Sequence, residues 1–290
     1  LSSYRFCRTD DVSLLVDALN RCWSPHFPGE PAVTPASFKR SIRDLQVWCS
    51  SCMVAFAGSD PIGVLIGAKR PSGTLIHKIA VHPEHRRQGH GRHLLTSLSS
   101  KLAILGPPRI VAEVPDALDA ARALFGACGY VEEGVLTDYV LAREANADVA
   151  PGQAFLIPVT VDDLVANGLL GPPSPGASAG QGQPQVCWER SVETLTARKD
   201  EILGLAVASD ERIEAYLLHT DAGEIVALRS CLDDEGARLR PLVAHLRGRG
   251  EGTFRLAKVH PAELSHALLE ALGFRPAGTH VRYTTTARSA

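Results

Sequence analysis

The chain has 290 residues, more than one typical domain of roughly 100–150, so two domains are the first expectation. Apolar residues make up 45% and charged residues 21%, which is the balance of a folded protein rather than a disordered one. A net charge of −2 gives no basic excess to grip a phosphate backbone, and no apolar run reaches the ~18 residues of a membrane helix, so neither nucleic acid nor membrane is expected as a partner.

The first residues, Leu1-Ser2-Ser3-Tyr4-Arg5, lack the apolar stretch of a signal peptide, and a cytoplasmic protein is expected. Residues 4–8 read as a strand, and Asp10 or Asp11 can cap a helix over 12–22. Five prolines and glycines between 23 and 35 make a loop, which a second helix over 36–45 follows. Strands over 53–57, 62–68 and 74–81, parted by turn residues, form an antiparallel meander. A basic loop, a helix over 91–105, a strand over 109–114, a helix over 118–128 and strands over 130–135 and 139–142 complete the unit. Seven cysteines, an odd number, do not suggest a disulfide framework; Cys49 and Cys52 have CxxC spacing but no second pair, and no metal site is expected.

Residues 144–152 read as a linker, after which the pattern restarts. A strand over 155–159, a helix over 161–166 and a surface excursion over 168–185 rich in Gly, Pro, Ser and Gln come first. Strands over 204–208, 213–219 and 224–230, a helix over 237–247, a strand over 254–259 and a helix ending at Leu272-Gly273-Phe274 follow. The ending matches Leu124-Phe125-Gly126-Ala127-Cys128-Gly129-Tyr130, in each case an amphipathic helix, a capping glycine and an aromatic residue. The expected architecture is α/β (α+β): two tandem domains, 1–144 and 153–290, each a mixed, mostly antiparallel sheet flanked by helices.

The chemistry concentrates in one stretch. A strand ending Ile79-Ala80-Val81 meets His82-Pro83, and Arg86-Arg87-Gln88-Gly89-His90-Gly91-Arg92 leads into a helix. A helix start presents unpaired N–H groups and partial positive charge, glycine allows close approach, and the arginines add charge-assisted bonds, so this is a pyrophosphate cradle. A dinucleotide fingerprint would need glycine where Leu94 stands, and the Gly-Lys-Ser/Thr of a Walker loop is absent.

Arg86-Arg87-Gln88-Gly89-His90-Gly91 resembles the acetyl-CoA motif of the GNAT superfamily of N-acetyltransferases, Gln/Arg-x-x-Gly-x-Gly/Ala. Ile79-Ala80-Val81-His82-Pro83 resembles that family's preceding strand, and the element order over 4–142 fits its fold. The resemblance implies acetyl-CoA as co-substrate and direct attack on its thioester by a primary amine, of a small molecule or a peptide. It also implies that the strand carrying Ile79, Ala80 and Val81 splays from its neighbour over 110–114 to admit the pantetheine arm, with the N–H groups of 87–92 on the pyrophosphate. His77 matches a proton-removing histidine of arylalkylamine N-acetyltransferases and, by two-residue alternation, shares a face with Ile79 and Val81; Glu113 is the second candidate base. The family's proton-donating tyrosine is replaced by Phe125, which leaves Tyr130, Tyr139 or water as the acid. His82, His85, His90 and His93 read as exposed residues rather than a metal cluster.

The second half has Cys231-Leu232-Asp233-Asp234-Glu235-Gly236 where the first has its basic loop, and its carboxylates would repel a pyrophosphate. It reads as a degenerate GNAT-like domain. A non-catalytic acyl-CoA-binding sensor is the alternative to an enzyme, and self-association is left open.

Overall fold

The computed structural model describes residues 2–142, 156–170, 186–248 and 252–288. The expected linker over 144–152 and most of the excursion over 168–185 lie outside the described residues. In chain order the elements are β1 Ser2–Phe6, α1 Val12–Cys22, α2 Pro35–Leu45, β2 Met53–Ala57, β3 Asp60–Arg70, β4 Gly73–Val81, α3 His90–Leu105, β5 Arg109–Pro115, α4 Asp119–Ala127 and β6 Val131–Ala142. There follow β7 Leu156–Pro158, α5 Val161–Ala166, α6 Val192–Ala197, β8 Ile202–Ala208, β9 Ile213–Thr220, β10 Glu224–Ser230, α7 Leu239–Arg247, β11 Thr253–Val259, α8 His266–Ala271 and β12 Arg275–Thr286.

The chain divides into two compact units. The first holds residues up to Gly134 together with those from Val281 onward, and the second is Val135–His280. These limits differ from the contiguous division at 144 because two long strands each serve both units. The sequence suggested two strands over 130–142, yet β6 runs unbroken through Gly134, and Tyr139 and Leu141 pack in the second unit's core. The last strand, β12, places Val281 and Tyr283 in the first unit's core.

In the first unit β1 to β4 pair antiparallel in chain order, and β4 pairs parallel with β5. On one face α3 buries Leu94, Leu95, Leu98 and Leu102, a helical stripe in which each leucine stabilises by about 1.5–3 kcal/mol. α1 buries Leu15, Val16, Leu19 and Cys22 in the same way, and α2 opens on Thr34, which exchanges hydrogen bonds with Ser37. In the second unit β8, β9 and β10 again form an antiparallel meander, and β10 pairs parallel with β11. α7 buries Leu239, Leu242, Val243 and Leu246 in one core, while Leu164 of α5 and Leu195 of α6 belong to another. Each unit is thus a mixed, mostly antiparallel sheet flanked by helices.

All seven cysteines are free, Cys49 and Cys52 among the buried ones. No helix among the described residues is long and apolar enough to cross a membrane.

Candidate functional site

The site is built on the end of β4. Its parallel pairing with β5 is confined to Thr74, Leu75 and Ile76 against Ile110, Val111 and Ala112; beyond these the strands part. Where they part, β4 carries a bulge: Ile66 faces Lys78 and Gly67 faces Ile76, so His77 is the extra residue. A bulge re-aims side chains and is frequent beside active sites. The two-residue alternation that grouped His77 with Ile79 and Val81 therefore does not run through it. Further along, the N–H of His82 donates to Ile62 of β3, so the C=O of Val81, across the same trans peptide, points to the opposite edge. Alternation gives the backbone of Ile79 that direction too, toward the side from which β5 has departed.

The connection from β4 to α3 turns through Pro83–His85 and then through two residues in the left-handed region, Arg87 at φ 62° and Gly89 at φ 86°. Gly89 is the N-cap of α3, no side chain caps the helix, and the first internal bond runs from the N–H of His93 to the C=O of Gly89. The N–H groups of His90, Gly91 and Arg92 thus precede the helical ladder. Apart from its own neighbours in the chain, nothing lies within 4 Å of the place a Cβ on Gly89 would take, so that side of the turn is open. Gly91 has another reason to be glycine: its Cβ would stand 3.0 Å from a methyl of Leu124 on α4. Arg86, Arg87 and Gln88 are exposed around the turn. An uncapped helix start with adjacent guanidinium groups fits a pyrophosphate.

Of the four histidines expected to be exposed only His93 is; His82 and His85 are half-buried and His90 departs furthest. It is buried, its Nδ1 lies 2.7 Å from the hydroxyl of Tyr4, and burial lowers its pKa. The first position of a helix can point its side chain under the helix, which the loop reading overlooked. Among the described residues no cluster of metal-binding side chains is gathered.

The remaining candidates are dispersed. Glu113 on β5 is half-buried as a residue, but its side chain is turned inward and its Oε1 accepts from Arg282 of β12 at 3.1 Å, an ion pair with both side chains almost wholly out of water. Phe125 is buried against Tyr130 and Tyr283, with ring centroids 5.0 and 5.7 Å away. Tyr130 is buried in this core too, and burial pushes its phenol pKa up, so the group stays neutral. Tyr139 belongs to the second unit, where its hydroxyl lies 3.0 Å from Nδ1 of His266.

One residue of the site carried no signal in the sequence. His26 ends a short 3-10 turn, Ser24–His26, between α1 and α2, and its Nε2 lies 3.0 Å from the C=O of Val81. Arg86 meets the same ring. Beside it Trp23 stacks on Phe27, and Lys78 sits 3.9 Å over Trp23.

The corresponding turn in the second unit is closed. Asp234 accepts from the N–H of Gly236 and of Arg238 and from the hydroxyl of Ser230, at 2.9 to 3.1 Å. Burial alone would raise the Asp234 carboxyl, but these hydrogen bonds hold it below the usual carboxylate range.

The described residues thus form two α/β units of one plan, with an open helix start and parted strands in the first. Residues 13–130 match the model of the acetyltransferase (GNAT) family. Over the whole chain the fold is similar to that of a tandem GNAT protein from the clavulanic acid biosynthesis pathway, with TM-score 0.60, 17% identity, and 100% of each chain covered. It is also similar to a GCN5-related N-acetyltransferase from Sphaerobacter thermophilus, with TM-score 0.64, 14% identity, and 99% and 96% of the chains covered. A third, from Kribbella flavida, gives TM-score 0.63 at 12% identity over 99% of this chain and 72% of the other. At such identities the likeness is one of fold. Acyl transfer is the general activity of the family.

Proposed function

We propose that the protein is an N-acetyltransferase that moves an acetyl group from acetyl-CoA to a primary amine, with its working site in the first unit. The observation that carries this reading is the open, uncapped start of α3 directly beyond the point where β4 leaves β5. The N–H groups of 87–92 and the guanidinium groups of Arg86 and Arg87 hold the pyrophosphate. The backbone of Ile79 and Val81, with Ala80 between, supports the pantetheine arm and polarises the thioester carbonyl.

Acetyl-CoA supplies the acyl thioester. The amine nitrogen bonds to the carbonyl carbon, the C–S bond breaks with its electron pair going to sulfur, and the products are an N-acetyl amide and the free thiol. His77, at the bulge, takes the proton that the amine loses, directly or through water. Glu113 is the weaker candidate, since its carboxylate is engaged by Arg282. Of the two tyrosines, Tyr130 is the one in the first unit, and the thiolate takes its proton from that phenol or from water.

The test is release of free thiol from acetyl-CoA across a panel of primary amines, with binding followed in parallel by calorimetry. Turnover on at least one amine is expected. Tight binding with no turnover on any acceptor would establish the sensor instead.

A further inference from the structure

The start of α3 meets two demands that conflict. A helix end frays unless a capping side chain accepts from the N–H groups of its first turn, yet an anion can bind there only if those groups stay free. No side chain caps α3, and the N–H groups of His90, Gly91 and Arg92 precede its first internal bond. The turn is held instead from a strand 86 residues earlier in the chain. Tyr4 of β1 pairs with Ala55 of β2 and packs on the first unit's core. Its hydroxyl lies 2.7 Å from Nδ1 of His90, the first residue of the helix, and its ring lies against that of His93, with centroids 3.7 Å apart. His93 is the residue whose N–H makes the first internal bond, to the C=O of Gly89. One side chain, fixed on a strand, thus grips the first helical turn at both ends.

Packing alone does not account for a histidine at this place. His90 is 5% exposed, and its Nε2 is buried with no protein partner among the described residues. An apolar residue would fill the same space without the cost of burying that polar atom. The bond from the imidazole to Tyr4 is what an apolar residue could not supply.

We propose that Tyr4 and His90 are positioning residues for the acyl-CoA site: their hydroxyl–imidazole pair holds the first turn of α3 from the side and leaves its N–H groups free for the anion. This rests on the assignment of that turn to the pyrophosphate. A turn already in place gives up less conformational freedom when the ligand arrives, and binding is tighter by that difference. Neither side chain has to touch the ligand.

Calorimetric titration of the full chain with coenzyme A tests this in wild type, Tyr4→Phe, His90→Leu, His90→Asn and the double variants. Tyr4→Phe keeps the ring against His93 and removes only the hydroxyl; it should weaken affinity by about 3–10-fold, the net worth of one hydrogen bond. His90→Leu should lose a similar factor, and adding Tyr4→Phe to it should cost nothing more. His90→Asn sets an amide where Nδ1 stands, and an amide can bond the phenol as donor or as acceptor. Its affinity should return toward that of wild type, and in that background Tyr4→Phe should again be costly. Unchanged affinity in Tyr4→Phe would overturn the proposal, as would equal affinities in His90→Leu and His90→Asn. Faster amide exchange at His93 with no change in affinity would show the bond to be structural only and would overturn it too. If His90→Leu does not fold, Tyr4→Phe and His90→Asn decide. Undiminished affinity in Arg86→Ala and Gly89→Val would instead defeat the assignment of the anion turn itself.

Discussion

The strand that ends at Val81 and the strand that ends at Ser230 each pair in parallel with a neighbour only at their beginning, and each then carries a bulge. In β4 the bulged residue is His77, directly after Ile76 meets Ala112; in β10 it is Val226, directly after Ile225 meets Leu256. The turns that follow also correspond. Gly91 packs under Leu124 of α4, and a Cβ on Gly236 would stand 2.4 Å from a methyl of Leu268 on α8. What differs is what fills each place. In the first unit the turn is open and its N–H groups are uncapped, whereas in the second Asp234 supplies the anion from the chain itself. Past the parting of β10 and β11, the short turn Trp188–Arg190 packs on β10, and Arg190 donates to the C=O of Lys258 on β11. One framework can therefore keep its strand geometry while a carboxylate fills the turn and an apolar residue takes the bulge.

The largest expected effect sharpens the contrast between the bulges. If His77 is the base, His77→Gln should lower turnover by about 10²–10⁴-fold with little change in acetyl-CoA affinity. The loss should shrink as pH rises, because more of the amine is then already deprotonated. His77→Val, which copies the second unit, should be as slow, and Val226→Ala should leave turnover intact. Full activity in His77→Gln would move the role to Glu113.

Next in size is the strand that the first unit takes from the end of the chain. Arg282→Ala leaves the buried Glu113 carboxylate without its guanidinium, and removing one partner of a buried pair costs about 3–5 kcal/mol. Thermal unfolding of the first unit should fall accordingly, and Glu113→Leu combined with Arg282→Met should recover most of it. A neutral effect of Arg282→Ala would show that β12 does not support this core.

The smallest effect concerns the self-filled turn. Asp234→Ala removes the acceptor that holds the N–H groups of Gly236 and Arg238 in the turn and should cost about 1 kcal/mol in the second unit, the usual net worth of such a hydrogen bond. The folded carboxyl titrates below its unfolded value of about 3.9, so this stability is present above that pH and disappears as pH falls through the folded value. Denaturant curves of wild type and Asp234→Ala should therefore converge in acid; a gap that stays constant would contradict the assignment.

Much of this arrangement was legible in the residues. The meander, a helix over 91–105 and the repeated helix-glycine-aromatic endings follow from hydrophobic period and turn chemistry, which act locally. The turn before α3 was legible because Gly89 and the arginines lie together in the chain. Long-range pairing was not. No local signal says that residues 135–142 pair with β11 or that Val281 and Tyr283 finish the first core, because strand partners are chosen by burial across the whole chain. His26 was hidden for the same reason: it lies 55 residues before Val81, within a proline-rich loop, and nothing nearby reports its contact. His90 was misplaced because a histidine in a basic loop reads as solvated until Tyr4 is seen against it.

The claim that one framework carries one working site is tested most directly by the stoichiometry of acetyl-CoA binding. Calorimetry on the full chain should give one molecule per chain. Gly89→Val should abolish it, because a branched side chain is strained at φ 86° and would fill the open face of the turn. The second unit should remain folded. Two molecules per chain, or one that persists in Gly89→Val, would contradict the account.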